Sequence, residues 1–281
     1  MRLFSCLLLV LLVPFAAAAD IPTPPPPLRA PGDQTAYRHL VLGNGLRVLL
    51  VSNPKFNLSS VALAVDTGSF DNPESRPGLA HYLEHLVFLG TDRFPDPGEF
   101  DKYIQANGGA NNAYTASDHT NYHLQIAHAA FEGALERLSR FFIAPRFDPD
   151  FCDREVTAIE NEFQRHRDND EARLEFVADG LYDPASPDSR FSIGNRATLA
   201  GTPRAEVIAF YESHYSADRM ALVLCSPADL DRLEALARRH FAEIPRRAVA
   251  APAAAPAAFL PRKPALRSLG IVSATDNPRL V

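Results

Sequence analysis

Asn44-Gly45 lies between two alternating apolar runs, "YRHLVL" (37–42) and "LRVLLVS" (46–52). This dipeptide suits the left-handed positions of a two-residue hairpin turn, so the two runs are predicted to pair antiparallel. "LSSVALAVDTG" (58–68) suggests a third strand, and 78–90 has helical spacing with Leu79, Leu83, Leu86 and Val87 on one side. A second helix is expected over 98–106. "NNAYTAS" and "TNYHLQIA" are expected to pair around Ser117-Asp118. Helical stretches follow at about 129–143, 150–181 and 204–214. The strand "MALVLC" comes next, then a helix from about 228 to 242. Strands and helices come in blocks rather than in strict alternation, which makes the class α+β.

The ends of the chain read differently. Arg2 is followed by the apolar run Leu3–Phe15 and the small residues Ala16–Ala19. That order is a secretory signal peptide over 1–19, cleaved after Ala19. The run is short for a membrane anchor, and no later segment is long and apolar enough to span. The expected location is outside the cytoplasm, in a bacterial periplasm. Residues 20–36, with "PPPP" at 24–27, form a Pro-rich tether. The folded domain is expected over 37–247, an Ala/Pro linker over 248–262, and the truncated start of a second domain over 263–281. Export makes a Cys152–Cys225 disulfide possible, but two isolated cysteines more often serve packing. With 46% hydrophobic residues a sizeable core is available, and a net charge of −6 gives no support for nucleic-acid binding.

Chemistry concentrates in "GLAHYLEHLVFLGT" (78–91). On a helix, His81 and His85 share a face, and two imidazoles at that spacing suit Zn²⁺. Glu84 lies beside that face and is free to act on water. H-x-x-E-H is the inverzincin order, although the bare motif also occurs by chance. A catalytic zinc needs a third protein ligand. "CDREVTAIENEFQRH" offers Glu155 and Glu162 two helical turns apart on one face, with Glu160 off it. On spacing alone, a solvated charged helix face is the reading that leads.

Taken together, "RPGLAHYLEHLVFLGT", "NNAYTASDHTNYHLQI", "LERLSRFFIAPRFD" and "DREVTAIENEF" resemble the pitrilysin/insulysin family of zinc metallopeptidases, over about 38–245. In that family 76 residues separate the second histidine from the glutamate ligand, as they do between His85 and Glu162 here. The resemblance implies one Zn²⁺ per chain held by His81, His85 and Glu162. It makes Glu84 the general base and Glu155 an outer carboxylate that orients an imidazole. It further implies that Asn112, Ala113 and Tyr114 lie on an edge strand that takes an extended peptide as an added strand. Without the family, Asn112 and Tyr114 would be ordinary turn and strand residues. His119 and His123 are expected to be packed or hydrogen-bonded. His39, His128, His166, His214 and His240 are expected to be surface or packing residues.

The implied fold is a mixed, mainly antiparallel sheet with helices packed on it, a domain of the LuxS/metallopeptidase type. The implied function is an exported zinc metalloendopeptidase domain, weakly active without a missing C-terminal half or partner subunit. The alternative is a non-catalytic peptide-binding or partner subunit of a two-part peptidase.

Overall fold

The computed structural model describes residues 28–183 and 186–247. The expected signal peptide, linker and second-domain start lie outside the described residues, as does the tether up to 27. The chain divides at Asp33–Gln34. The described part of the first unit is a turn in which the Asp33 N–H donates to the Ala30 carbonyl at 3.1 Å. The second unit, from Gln34, carries the fold and the site.

Its strands are β1 (Ala36–Val41), β2 (Arg47–Ser52), β3 (Ser59–Val65), β4 (Ala110–Thr115), β5 (Thr120–Ile126) and β6 (Met220–Ser226). They form one six-stranded sheet in the order β1-β2-β6-β3-β5-β4. Only β2 and β6 run parallel; the other neighbours are antiparallel. The helices are α1 (Leu79–Leu86), α2 (Glu99–Ala106), α3 (Phe131–Ile143), α4 (Pro149–Arg167), α5 (Asp170–Asp179), α6 (Arg196–Leu199), α7 (Arg204–His214) and α8 (Leu230–Phe241). The α+β class and mainly antiparallel sheet are as expected.

The hairpin forms, but not through a two-residue turn: Gly43, Asn44 and Gly45 bridge Leu42 and Leu46, the Gly45 N–H donates to the Leu42 carbonyl at 2.8 Å, and Asn44 is not left-handed. Gly45 takes φ +90°, and a Cβ there would stand 2.7 Å from that of Asp218. The Asn44 amide also donates to the Phe241 and Ile244 carbonyls, both at 3.0 Å, pinning the turn to the end of α8.

Alternation then divides the sheet into two faces. Val61, Leu63 and Val65 of β3, Tyr122, Leu124 and Ile126 of β5, and Met220, Leu222 and Leu224 of β6 are all buried. They pack under helical stripes such as Phe131, Leu135, Leu138 and Phe142 of α3 and Leu233, Leu236 and Phe241 of α8. The alternate residues Ser60, Ala62, Ala221 and Val223 are only half-buried.

The helical stretch expected over 150–181 is two helices. α4 stops after Arg165, His166 and Arg167, and the Asn169 side chain accepts from the Ala172 N–H at 3.0 Å, starting α5 anew. The short α6, started by an Asn195–Thr198 capping box, was not expected. Cys152 and Cys225 are both free, one buried and the other half-buried, in line with packing roles. Among the described residues no helix is long and apolar enough to cross a membrane.

Candidate active site

α1 buries Leu79, Tyr82, Leu83 and Leu86 and turns His81 and His85 toward α4. Its start is fixed by two features of the preceding loop. The Asn72 carboxamide oxygen accepts from the Ala80 N–H at 2.8 Å. Gly78 takes φ +91°, with its Cα packed on Gly194; an added Cβ would lie 2.3 Å from Gly194 Cα. The Tyr82 hydroxyl donates to the Cys152 carbonyl at 2.9 Å and ties α1 to α4.

Both imidazoles are held from behind. His81 Nδ1 donates to the Ile193 carbonyl at 2.7 Å, and His85 Nδ1 donates to Glu155 Oε1 at 2.7 Å. A carbonyl or carboxylate can only accept, so each ring when neutral carries its proton on Nδ1 and presents an Nε2 lone pair. The two Nε2 atoms are 3.2 Å apart, and Glu162 Oε2 lies 3.7 Å and 3.6 Å from them. Electron-pair donors converging so closely repel one another unless a cation or proton lies among them. Ligands of a tetrahedral zinc at about 2.0–2.1 Å stand about 3.3 Å apart, so the spacing fits. Two imidazoles and one carboxylate are also the donor set of a catalytic zinc site. His81, His85 and Glu162 are the group of metal-ligating side chains found among the described residues.

Electrostatics separate the two histidines. Burial lowers the pKa of His81, and the neighbouring His85 lowers it further. Burial also pulls His85 down, but the hydrogen bond and charge of Glu155, with Glu84 and Glu162, outweigh it and lift that imidazole above its ordinary value. Glu84 is buried, and burial raises its carboxyl pKa; Thr115 and His85 pull it part of the way back. Glu84 Oε2 accepts from the Thr115 hydroxyl at 2.6 Å.

These groups line an open cleft of about 1310 Å³, bounded by β4, α4, α5 and residues 189–193.

Two family models match the sequence. "Insulinase (Peptidase family M16)" covers 47–184 and "Peptidase M16 inactive domain" covers 203–277. The chain belongs to the M16 peptidase family. It is 37% identical to the insulin-degrading enzyme of Mus musculus over 232 residues, 80% of this chain and 23% of that one. It is 40% identical to the putative zinc protease mug138 of Schizosaccharomyces pombe over 227 residues, 78% of this chain and 23% of that one. The crystal structure of pitrilysin matches with a TM-score of 0.77 and 34% identity, over 79% of this chain and 24% of that one. The chain therefore spans about a quarter of the length of the relatives it matches.

Within this M16 domain, Asn112, Ala113 and Tyr114 lie on β4, which among the described residues is an edge strand bonded only to β5. All three border the cleft. Strand alternation divides them. Ala113 is half-buried on the face shared with Thr115, while Asn112 and Tyr114 are exposed on the other face, opposite His123 and Asn121. His119 is hydrogen-bonded to Asp118 and Tyr114, and His123 to Asn121, as expected. His166 is exposed and borders the cleft. Glu160 points elsewhere and accepts from the Arg196 N–H at 2.8 Å.

Sequence reasoning missed three parts of the site: the Ile193 carbonyl, the Gly78–Gly194 contact behind it, and the Thr115 hydroxyl. A backbone acceptor has no side-chain signature, and Thr115 reads as an ordinary strand residue.

Proposed function

We propose that this chain is the catalytic domain of a zinc-dependent endopeptidase that cleaves extended peptides, with Glu84 as general base and His81, His85 and Glu162 as metal ligands. One observation carries the reading: two Nε2 lone pairs and a carboxylate oxygen converge within 3.7 Å beside a buried, hydrogen-bonded Glu84. Zinc bound there supplies a Lewis acid that polarises the scissile carbonyl and makes water acidic near neutral pH. Glu84 Oε1, the oxygen not held by Thr115, takes the proton of the attacking water and returns it to the leaving amine nitrogen. His81 and His85 keep their Nδ1 protons throughout, held by Ile193 and Glu155, so their Nε2 atoms stay aimed at one point. The unpaired edge of β4 offers N–H and C=O groups to an extended peptide as an added strand.

Mature chain beginning at Asp20 in a bacterial periplasm fits the apolar N-terminal run and its small-residue end. The cleft is open, and a peptide on β4 is held from one side only. The chain by itself is therefore expected to orient substrate weakly and turn over slowly, faster with a supplied second half. A non-catalytic binding subunit has no observation in its favour, because Glu84 is present, buried and oriented.

The test is hydrolysis of unstructured peptides by the zinc-loaded mature chain. Activity lost to a chelator and restored by zinc supports the reading. Glu84→Gln should keep zinc and lose hydrolysis, whereas His81→Ala and Glu162→Ala should lose the metal. A Glu84→Gln variant as active as wild type would refute the assignment.

A further inference from the structure

Thr115 is the last residue of β4, the strand whose free edge faces the cleft. Its hydroxyl donates to Glu84 Oε2 at 2.6 Å, a short charge-assisted bond. Glu84 itself comes from α1, so this bond joins two separate elements. The hairpin tip that carries Thr115 is held in place. Thr115 pairs with Thr120 across the ladder, and the Thr120 hydroxyl, itself buried, donates to the Thr67 carbonyl at 2.8 Å. The Ala116 and Ser117 carbonyls accept from the Ser69 and Phe70 N–H groups, each at 2.9 Å. Gly68 permits that approach, since a Cβ there would lie 2.4 Å from the Ala116 oxygen. Four residues further on, Asn72 fixes the start of α1. The segment 67–72 thus clamps both the strand end and the helix that bear the two partners. A β-branched threonine on a strand also has a stiff χ1, so its hydroxyl has little freedom to leave.

We propose that Thr115 is a positioning residue for the general base. Its hydroxyl locks one oxygen of Glu84 so that the other faces the cleft, and it sets that oxygen in register with the strand that receives the peptide. The inference rests on the peptidase reading given above. Without the hydroxyl the Glu84 carboxyl is free to rotate, and both oxygens spend time away from the attacking water.

The experiment compares Thr115→Val, which keeps the shape and removes the hydroxyl, with Thr115→Ser, which restores it. Both are made in the zinc-loaded full chain beside wild type and Glu84→Gln, and thermal unfolding reports folding. With Thr115→Val, kcat should fall about 10–100-fold, the usual cost of losing an outer hydrogen-bond partner. KM and zinc affinity should stay within about twofold, and Thr115→Ser should recover most of the rate. A loss confined to KM or to zinc, an unchanged kcat, or a serine variant no better than valine would overturn the proposal. If Thr115→Val does not fold, Thr115→Ala against Thr115→Ser gives the same contrast. Wild-type chain without zinc-dependent hydrolysis would refute the peptidase reading itself. The positioning claim is then read from crystals of Thr115→Val. A Glu84 carboxyl turned away from its wild-type position supports it, and an unmoved carboxyl overturns it.

Discussion

Gly78→Ala perturbs the site without touching a ligand. Gly78 has φ +91°, and its added Cβ would stand 2.3 Å from Gly194 Cα, 2.6 Å from Gly194 N and 3.0 Å from Ile193 C. All three are backbone atoms, so no flexible side chain can give way. Left-handed backbone costs an L-residue about 1–2 kcal/mol. Overpacking against a fixed neighbour adds about 1–3 kcal/mol. The sum, about 2–5 kcal/mol, is a large share of the roughly 5–15 kcal/mol that holds a typical domain together. The part that relieves the collision is the 193–194 loop, and it carries the carbonyl that holds His81. Zinc affinity should therefore fall about 10–100-fold along with stability. Urea unfolding of the metal-free chain reads the first effect, and competition with a chromogenic chelator reads the second. Gly108→Ala is the control: its φ is +66° with nothing within 4 Å of an added Cβ, so it should cost strain alone and leave zinc binding unchanged. Wild-type stability and zinc affinity in Gly78→Ala would refute the reasoning. So would an equal loss of zinc affinity in the Gly108 control.

Other predictions follow from the two rings. Glu155→Gln removes the charge that holds His85 Nδ1 at 2.7 Å and should weaken zinc about 10–100-fold by calorimetry, without loss of fold. Zinc binding should release protons in the acid range, because both imidazoles must be neutral to ligate. His85, with its pKa raised, should supply more of them than His81, with its pKa lowered. Affinity should therefore climb as pH rises. Calorimetry in buffers of different ionisation enthalpy counts the protons, and a release that does not grow as pH falls would contradict this assignment.

Much of this was legible along the chain because local physics decided it. Asn44-Gly45 is a turn by its own conformational preference, and His81 and His85 share a face by helical geometry. Glu162 was different. Its distance from His85 along the chain carries no spatial content until α4 is laid across α1, a placement made by contacts such as Tyr82 on the Cys152 carbonyl. The break at Asp168–Asn169 went unread because a helix N-cap inside a charged run looks like more solvated helix. The parallel pairing of β2 with β6, from Arg47↔Ala221 to Ser52↔Ser226, joins segments at opposite ends of the domain, and no local pattern announces it. Ile193 acts through its carbonyl, which every residue possesses.

Crystals of the zinc-loaded mature chain, measured on either side of the zinc absorption edge, test the central claim most directly. The account predicts a single strong anomalous peak about 2.0–2.2 Å from His81 Nε2, His85 Nε2 and a Glu162 carboxylate oxygen, with Glu84 adjacent and not ligating. A peak placed elsewhere, one that engages Glu84 or Glu155 in place of Glu162, or none at full zinc loading would contradict it.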